Sequence, residues 1–521
     1  MAKISRTILI LALVALLSAC ATLRTDVPRV ASHALPPDPQ TPLGQISGHV
    51  LDPAQPSSFR LLESGRAALA ARLALADRAR KTLDLQYYLF HSDTSGQLLV
   101  ESLLRAADRG VRVRILLDDV DTAESEQAII ALDAHKNIQI RLYNPFHVRG
   151  NSPLGRALEF IGDKDRLNRR MHNKLFVADN QFGITGGRNI GDEYFHVENT
   201  VAFRDLDVMA AGRTVQDMSA AFDVFWNADH SIPARALPFE GTRRKLLAEK
   251  REALKSHRDS VQALMVPYLS LDTLNGAMAP GLGPWTPAHA EFLQDEPGKT
   301  AGNSNSADLP ITRLFRMGLS AREEVLIASP YFVPGQMGTD FLTQLSKRGV
   351  SVRILTNSLA ANDVGVVHAG YARYRMPLLI AGVELNELKP LKETPGVRIA
   401  STKGSSRASL HSKAIVVDRE QAYIGSMNLD PRSALINTES GLIIQGRELA
   451  GQVARFIETG MSRDQSYQVR IDPDSDSNQR KLIWLEQQGE REVTHPVEPR
   501  SGLIRRFLID LLTGLPIEGD L

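Results

Sequence analysis

Apolar residues at helical spacing run through "LLESGRAALAARLALADRAR", and an alternating stretch, "TLDLQYYLF", follows. The period returns to helical in "GQLLVESLLRAADRG" and to a strand in "VRVRILLDD". The same order recurs later: "ITRLFRMGLSAREE", "VLIASPYFVP", "TDFLTQLSKRG", "VSVRILTNS". Strand, helix and strand joined by short connections predict an α/β fold, each sheet mixed but mostly parallel, with helices on its faces. The two series are also in register. "RGVRVRIL" (Arg109–Leu116) and "RGVSVRIL" (Arg348–Leu355) lie 239 residues apart. This is one long repeat, not a solenoid of short periods. Two homologous lobes are expected, 59–231 and 309–467.

Elsewhere the pattern breaks. Residues 20–58, with "PPDPQTP", read as a Pro-rich tether. Residues 232–308 are rich in turn formers and read as a connecting segment. The tail, 468–521, is polar and then ends in an amphipathic helix. Its Leu503, Ile504, Phe507, Leu508, Leu511, Leu512 and Leu515 share a face opposite Arg505, Arg506 and Asp510. That face suits either a membrane interface or the protein's own core.

The N-terminus, "MAKISRTILILALVALLSAC", has a charged start, a short apolar run and a small-residue end. The apolar run is about half the roughly 20 residues that a spanning helix needs. An uncleaved anchor is the alternative to a signal peptide over 1–19. "LSAC" resembles a bacterial lipobox, which would make Cys20 the lipidated first residue of the mature protein. Cys20 is the only cysteine among 521 residues, so no intramolecular disulfide is possible. The implied location is the bacterial cell envelope, facing the periplasm. Ala21 rather than Asp after the cysteine points toward the outer membrane, with the inner membrane the alternative. The net charge of +1 removes the simplest argument for a nucleic-acid binder.

The chemistry lies in two segments, "HNKLFVADNQFGITGGRN" from His172 and "HSKAIVVDREQAYIGSMN" from His411, again 239 residues apart. Both fit one template of His, Lys, Asp, Gly and Asn at fixed spacing, a coincidence expected at about one site in 10⁶–10⁷ for average composition. Side chains at i and i+2 share a strand face, so His172 points with Lys174 and His411 with Lys413. Asp179 and Asp418 complete each motif and are candidate catalytic groups; they also open turns, where a carboxylate can take backbone N–H groups. Gly186 and Gly425 let the chain approach closely, and Asn189 and Asn428 offer amide donors. A lysine beside each histidine makes a poor divalent-metal site, so no metal is expected. The set suits an anion: lysines and asparagines for phosphate oxygens, histidines for either side.

With "RLNRRMHNK", "GGRNIGDEYF", "TNSLAANDVGVVHAGYARYR" and "GSMNLDPRSALINTE" added, the chain resembles the phospholipase D superfamily and, within it, the bacterial cardiolipin synthases of the C type. The resemblance covers roughly residues 60–465. It implies two lobes about a pseudo-twofold axis, with both motifs in one cleft at the lobe interface. It implies a phosphohistidine mechanism that needs no organic cofactor, with His172 as nucleophile and His411 as general acid and base. It also implies an acidic partner for each imidazole. Glu439 and Asp205 are the candidates, with Asp207 as the fallback for the first motif. The halves differ where Gly187 faces Ser426, which places a phosphate-side hydroxyl on one side only. They differ again where Asp118 and Asp119 stand against Asn357 and Ser358, a pair of loops expected to separate donor from acceptor. Asn362, Asp363 and His368 follow, the last as a substrate contact or a buried helix residue.

The substrates implied are phospholipids at a membrane surface. Phosphatidylglycerol is the expected acceptor and default donor, with phosphatidylethanolamine as the alternative donor. Hydrolysis to phosphatidic acid is the competing reaction. A nuclease role is a weaker reading, resting on the basic cluster before His172.

Overall fold

The computed structural model describes residues 22–24, 26–149, 153–197, 202–269, 272–274, 281–301, 309–362, 364–390, 409–476 and 479–513. Cys20, the signal segment before it and Leu515 lie outside the described residues. So does Asp363.

Lobe 1 is built on strands β1 (Ser57–Leu62), β2 (Thr82–Tyr87), β3 (Arg112–Asp118), β4 (Ile138–Tyr143), β5 (Leu175–Ala178), β6 (Phe182–Gly186), β7 (Asp207–Gly212) and β8 (Ser231–Pro233). They lie in the spatial order β8-β4-β3-β2-β5-β6-β7-β1. A ninth strand, β9 (Thr286–Gln294), follows. Lobe 2 repeats the order with β10 (Glu324–Ala328), β11 (Ser351–Asn357), β12 (Glu384–Leu388), β13 (Lys413–Val417), β14 (Gln421–Gly425), β15 (Ser440–Gln445) and β16 (Ser466–Ile471). Only β2-β3-β4 and β10-β11-β12 pair in parallel; the other ladders are antiparallel. The expectation of mostly parallel sheets is therefore corrected. The strand–helix–strand periodicity marks only the parallel core. The motif hairpins, whose turns are tight, add antiparallel strands beside it.

Three further stretches differ from their sequence-based reading. Within 232–308, β9 belongs to both sheets: its first residues pair with β1 and the rest with β15. The same segment holds helices Arg243–Ser260 and Gln262–Leu269. The stretch read as a tether packs along lobe 1. Leu23 and Leu43 are buried, the Ala34 N–H donates to Asp223, and Thr41 caps a helix at Pro42–Val50. Prolines there fix the chain's direction at the surface without forbidding contact. The tail adds β17 (Leu482–Gln488) and β18 (Arg491–His495) to the lobe 2 sheet.

The lobes share a core. One buried apolar cluster takes Phe59, Leu61, Phe222 and Trp226 from lobe 1 and Leu326, Leu442, Val453 and Ile457 from lobe 2. Burial of this kind is worth about 1.5–3 kcal/mol per large side chain, so the cleft between the lobes has fixed walls.

Candidate active site

Each motif histidine lies just ahead of a hairpin strand, where the chain crosses from one lobe to the other. Met171 bridges to Thr438, and the His172 N–H donates to the Thr438 carbonyl at 2.9 Å. On the opposite side Arg204 bridges to Leu410, and the His411 N–H donates to the Arg204 carbonyl at 2.9 Å. These contacts put each histidine beside the other lobe's acid. His172 Nδ1 lies 2.9 Å from Glu439 Oε2, and His411 Nδ1 lies 2.6 Å from Asp205 Oδ2. The pairing is crossed: the acid downstream of one motif serves the other motif's histidine. Both carboxylates are fully buried, whereas the imidazoles keep 12% and 14% of their side-chain surface. Nδ1–H is thus held by the acid, and Nε2 is left to face the cleft.

Burial first, and then the lysines, drives both imidazoles toward the neutral form. His172 falls to about 4, with both Lys174 and Lys413 contributing against the opposing pull of Glu439. His411 falls to about 3, with Lys413 and Lys174 contributing against Asp205. Each histidine thus feels the charge of both lysines. Burial also lowers Lys174 to about 7. Lys174 Nζ donates to the His172 carbonyl at 2.8 Å, and Lys413 Nζ donates to that of His411. Tyr88 meets the His172 ring edge-on at 5.0 Å, and Phe203 stacks on His411 at 5.3 Å.

Asp179 and Asp418 do not join them. They sit at the far ends of β5 and β13, with left-handed φ of 51° and 52°. Each is followed by a second left-handed residue, the signature of a type I′ hairpin turn. Asp179 accepts from the backbone N–H groups of Arg80, Lys81 and Thr82, and Asp418 from those of Arg322, Glu323 and Glu324. Seven steps of near-extended chain, about 23 Å at roughly 3.3 Å per residue, separate each from its histidine. The motif aspartate is a clamp on the strand before it, and a catalytic role for it is corrected.

Other expectations shift as well. The Ser426 hydroxyl donates to Glu439, and the Ser440 N–H donates back to it at 2.9 Å, so it braces a carboxylate and not a phosphate. Gly187 is its counterpart. A Cβ there would lie 2.0 Å from Asp205 Oδ1, so the shorter acid occupies the space that a side chain would need. Asn189 accepts from the Leu89 N–H and donates to the Tyr194 hydroxyl, which fixes the loop after β2. Asn428 is buried, and its Oδ1 has no partner among the described residues. Asp118 accepts from the Met171 N–H at 2.8 Å, and Asn357 from the Leu410 N–H at 2.9 Å. This pair holds the residue before each histidine rather than separating substrates. Asp119 pairs with Arg149. Asp207, the fallback acid, is buried against Arg72 at 2.9 Å. His368 is fully buried against Glu498, so it is a helix residue of the interior.

Supporting groups that the sequence did not single out include Asn173, which accepts from Thr438 and donates to the Glu439 carbonyl. Arg188 donates to the Asp205 carbonyl, and Asp295, paired with Lys299, accepts from the Glu439 N–H. The "RN" dipeptide of the first motif was the only visible hint of Arg188.

Two lobes, each lending a histidine and the carboxylate that orients the other's histidine, define the phospholipase D type of phosphodiester enzyme. Comparison narrows the class. The family model described as "Cardiolipin synthase, PLD-like domain" matches residues 73–226 and 316–460. The chain is 40% identical over 498 residues to cardiolipin synthase C of Escherichia coli, covering 94% of this chain and 99% of that one. It is 26% identical to cardiolipin synthase A of Pseudomonas aeruginosa, covering 82% and 70%. Among solved structures it shares its fold with a phosphatidylserine synthase from Haemophilus influenzae, with a TM-score of 0.55 and 14% identity over 82% of this chain and 91% of that one. The chain belongs to the PLD-like cardiolipin synthase family and is a phosphatidyltransferase of that type.

Proposed function

We propose that the enzyme transfers a phosphatidyl group from one phosphatidylglycerol to the glycerol hydroxyl of another, releasing glycerol and forming cardiolipin. Phosphatidylethanolamine is the alternative donor. The observation that carries the mechanism is the crossed pair of imidazole–carboxylate contacts. Glu439 holds the Nδ1 proton of His172, so neutral Nε2 attacks phosphorus. The P–N bond forms as the P–O bond to the leaving alcohol breaks. His411, oriented by Asp205, gives that alkoxide its proton. His411 Nε2 then takes the proton of the incoming hydroxyl, whose oxygen displaces His172. Lys174 and Lys413 offset the charge on the five-coordinate phosphorus. Burial and the paired lysines keep both imidazoles neutral in the empty site. An arriving phosphodiester offsets the lysines and restores the proton that His411 must donate.

The reading places the cleft at a lipid surface. Among the described residues, no helix is long and apolar enough to cross a membrane. Two helices nonetheless carry exposed apolar stripes beside the carboxyl ends of β3 and β11. In Pro153–Gly162 these are Leu154, Leu158 and Ile161, the last 75% exposed. In Leu503–Thr513 they are Leu503, Phe507 and Leu511, with Phe507 68% exposed. The second helix also buries Ile509 against Leu359 and Ala369, so it both docks on its own protein and keeps an outward apolar edge. Lipid anchoring through Cys20, on the periplasmic side and in the outer membrane, completes this reading.

Purified protein incubated with labelled phosphatidylglycerol, with and without phosphatidylethanolamine, tests it. Cardiolipin should form and should vanish in His172→Ala. Phosphatidic acid as sole product at every lipid composition would make the enzyme a hydrolase.

A further inference from the structure

A cavity of about 710 Å³ adjoins the cleft on the His411 side, and the mechanism above does not use it. Its connection to the site is direct. Phe203, which stacks on the His411 ring, forms part of its wall, and so does Arg204, whose carbonyl holds the His411 N–H. The strand-derived parts of the wall come from the site ends of their strands: Glu63 follows β1, Leu388 ends β12, and Gln465 precedes β16. The cavity therefore opens at the same end of the sheets as the histidines.

Its lining is basic. Arg204, Lys389, Arg455 and Arg500 stand against Glu63 and Asp464. Two of the four cations are already engaged. Lys389 pairs with Glu486 at 2.9 Å, and the Arg204 guanidinium lies 4.3 Å over the Phe456 ring and donates to the Phe456 carbonyl. Arg455 and Arg500 are different. Both are exposed, and neither forms an ion pair with a described carboxylate. Burial raises the carboxyl of Glu63, against the pull of Arg204, Arg455 and Arg188. A smaller cavity of about 270 Å³ lies at the matching strand ends of lobe 1, but its Arg24, Arg29 and Arg166 are each paired with a carboxylate. The residue ahead of each bracing acid is Arg204 beside Asp205 but Thr438 beside Glu439. The two halves share their catalytic groups and differ in the charge set behind them.

We propose that this cavity is the acceptor subsite, and that Arg455 and Arg500 hold the acceptor lipid's own phosphodiester while its free hydroxyl reaches His411. The proposal rests on the transferase reading, in which His411 handles the alcohols. An acceptor such as phosphatidylglycerol carries its phosphate three carbons from the attacking hydroxyl, so a second cationic group is needed one headgroup away from the reacting phosphorus. A neutral alcohol needs none. Two guanidinium groups without a described carboxylate partner, in a cavity that adjoins the general base, thus select an anionic acceptor over water or a simple alcohol. The chemistry recognised is a phosphate ester bearing a primary hydroxyl, whether in a lipid headgroup or in soluble glycerol phosphate.

The test uses the full-length protein in phosphatidylglycerol vesicles with 1-propanol as a competing neutral acceptor. Both products arise from one phosphohistidine, so the ratio of cardiolipin to phosphatidylpropanol reports acceptor choice alone. Arg455→Gln with Arg500→Gln should lower that ratio at least tenfold while total phosphatidylglycerol consumption at saturating propanol stays within about twofold. Arg455→Lys with Arg500→Lys should restore much of it. Glycerol phosphate added in solution should form its own phosphatidyl ester less readily than phosphatidylglycerol forms cardiolipin if the lipid headgroup is the true occupant, and more readily if the free ester is. An unchanged ratio in a variant that consumes phosphatidylglycerol normally overturns the subsite. A wild-type enzyme that makes phosphatidylpropanol and phosphatidic acid but never cardiolipin overturns the transferase reading and the subsite with it.

Discussion

Replacing Asp179 separates two meanings of a motif residue. Its carboxylate takes three backbone N–H groups, from Arg80 at 2.9 Å, Lys81 at 2.7 Å and Thr82 at 2.9 Å, and it is almost fully buried. A hydrogen bond to a charged group is worth about 1.5–3 kcal/mol, and a buried donor left unpaired costs about 1–3 kcal/mol. Arg80 and Lys81 are exposed enough for water to reach part of the loss. Asp179→Ala should therefore destabilise lobe 1 by roughly 3–6 kcal/mol, which includes about 1 kcal/mol for an alanine at left-handed φ. That is a large share of ordinary stability. Asp179→Asn is the cleaner variant, because asparagine tolerates the turn and keeps one acceptor oxygen; about half the loss is expected. Urea unfolding followed by tryptophan fluorescence measures the shift. Turnover is then measured per folded molecule well below the transition, and it should stay within about threefold of wild type. The reasoning is refuted if Asp179→Asn unfolds like wild type yet loses three orders of magnitude in kcat. The carboxylate would then have to act on the reaction and not on the strand.

Gly187→Ser, which would make the halves alike in sequence, should instead displace Asp205 and cost His411 its orientation, a loss of about 10²–10³-fold in kcat with little change in KM. Ser426→Ala should cost less, because Glu439 keeps its contact with His172. The pH dependence has two parts. Both histidines have folded values below their usual 6.5, so their contribution to stability is full above pH 6.5 and is lost as pH falls toward about 4 for His172 and about 3 for His411. Urea midpoints at pH 7.5 and pH 5 should differ, and less so in a His172→Gln, His411→Gln double variant. On the alkaline side, kcat/KM for an anionic diester should fall as pH rises through about 7, where Lys174 loses its proton, and Lys174→Arg should abolish that limb. Leu154→Ser with Ile161→Ser, or Phe507→Ser with Leu511→Ser, should lower vesicle binding of protein lacking its first 20 residues while turnover on a soluble diester is kept. Unaltered binding in both variants would remove the lipid-surface role of these helices.

How much of this was legible in the sequence follows from which interactions are local. The repeat, the motif strands and the identity of both histidines and lysines depend on residues close in sequence, and they stand out in the periodicity. The crossed pairing is not local. Glu439 is 28 residues beyond His411 and Asp205 is 33 beyond His172, so spacing alone ties each acid to its own motif. Only the bridges at Thr438 and Arg204 send each one across the interface. The Gly187–Ser426 difference was visible as letters but not as volume: its meaning depends on the acid that each faces. β9 was hidden for a similar reason. "TPAHAEFLQ" alternates weakly because its two halves pair with different sheets, and its burial follows neither face cleanly.

The crossing also bears on why the repeat persists as one chain. A lobe folded alone would present a histidine without its carboxylate and a buried carboxylate without its imidazole. Leaving a charge buried and unpaired is costly, on the order of 3–5 kcal/mol where one partner of a buried pair is removed. The shared apolar cluster and β9 join the lobes, and that junction satisfies both acids at once. Catalytic competence and lobe docking thus rest on the same contacts. A substitution that loosens the interface, such as Leu442→Ala in the shared core, should lower stability and should also free the imidazoles from their acids before the lobes themselves unfold.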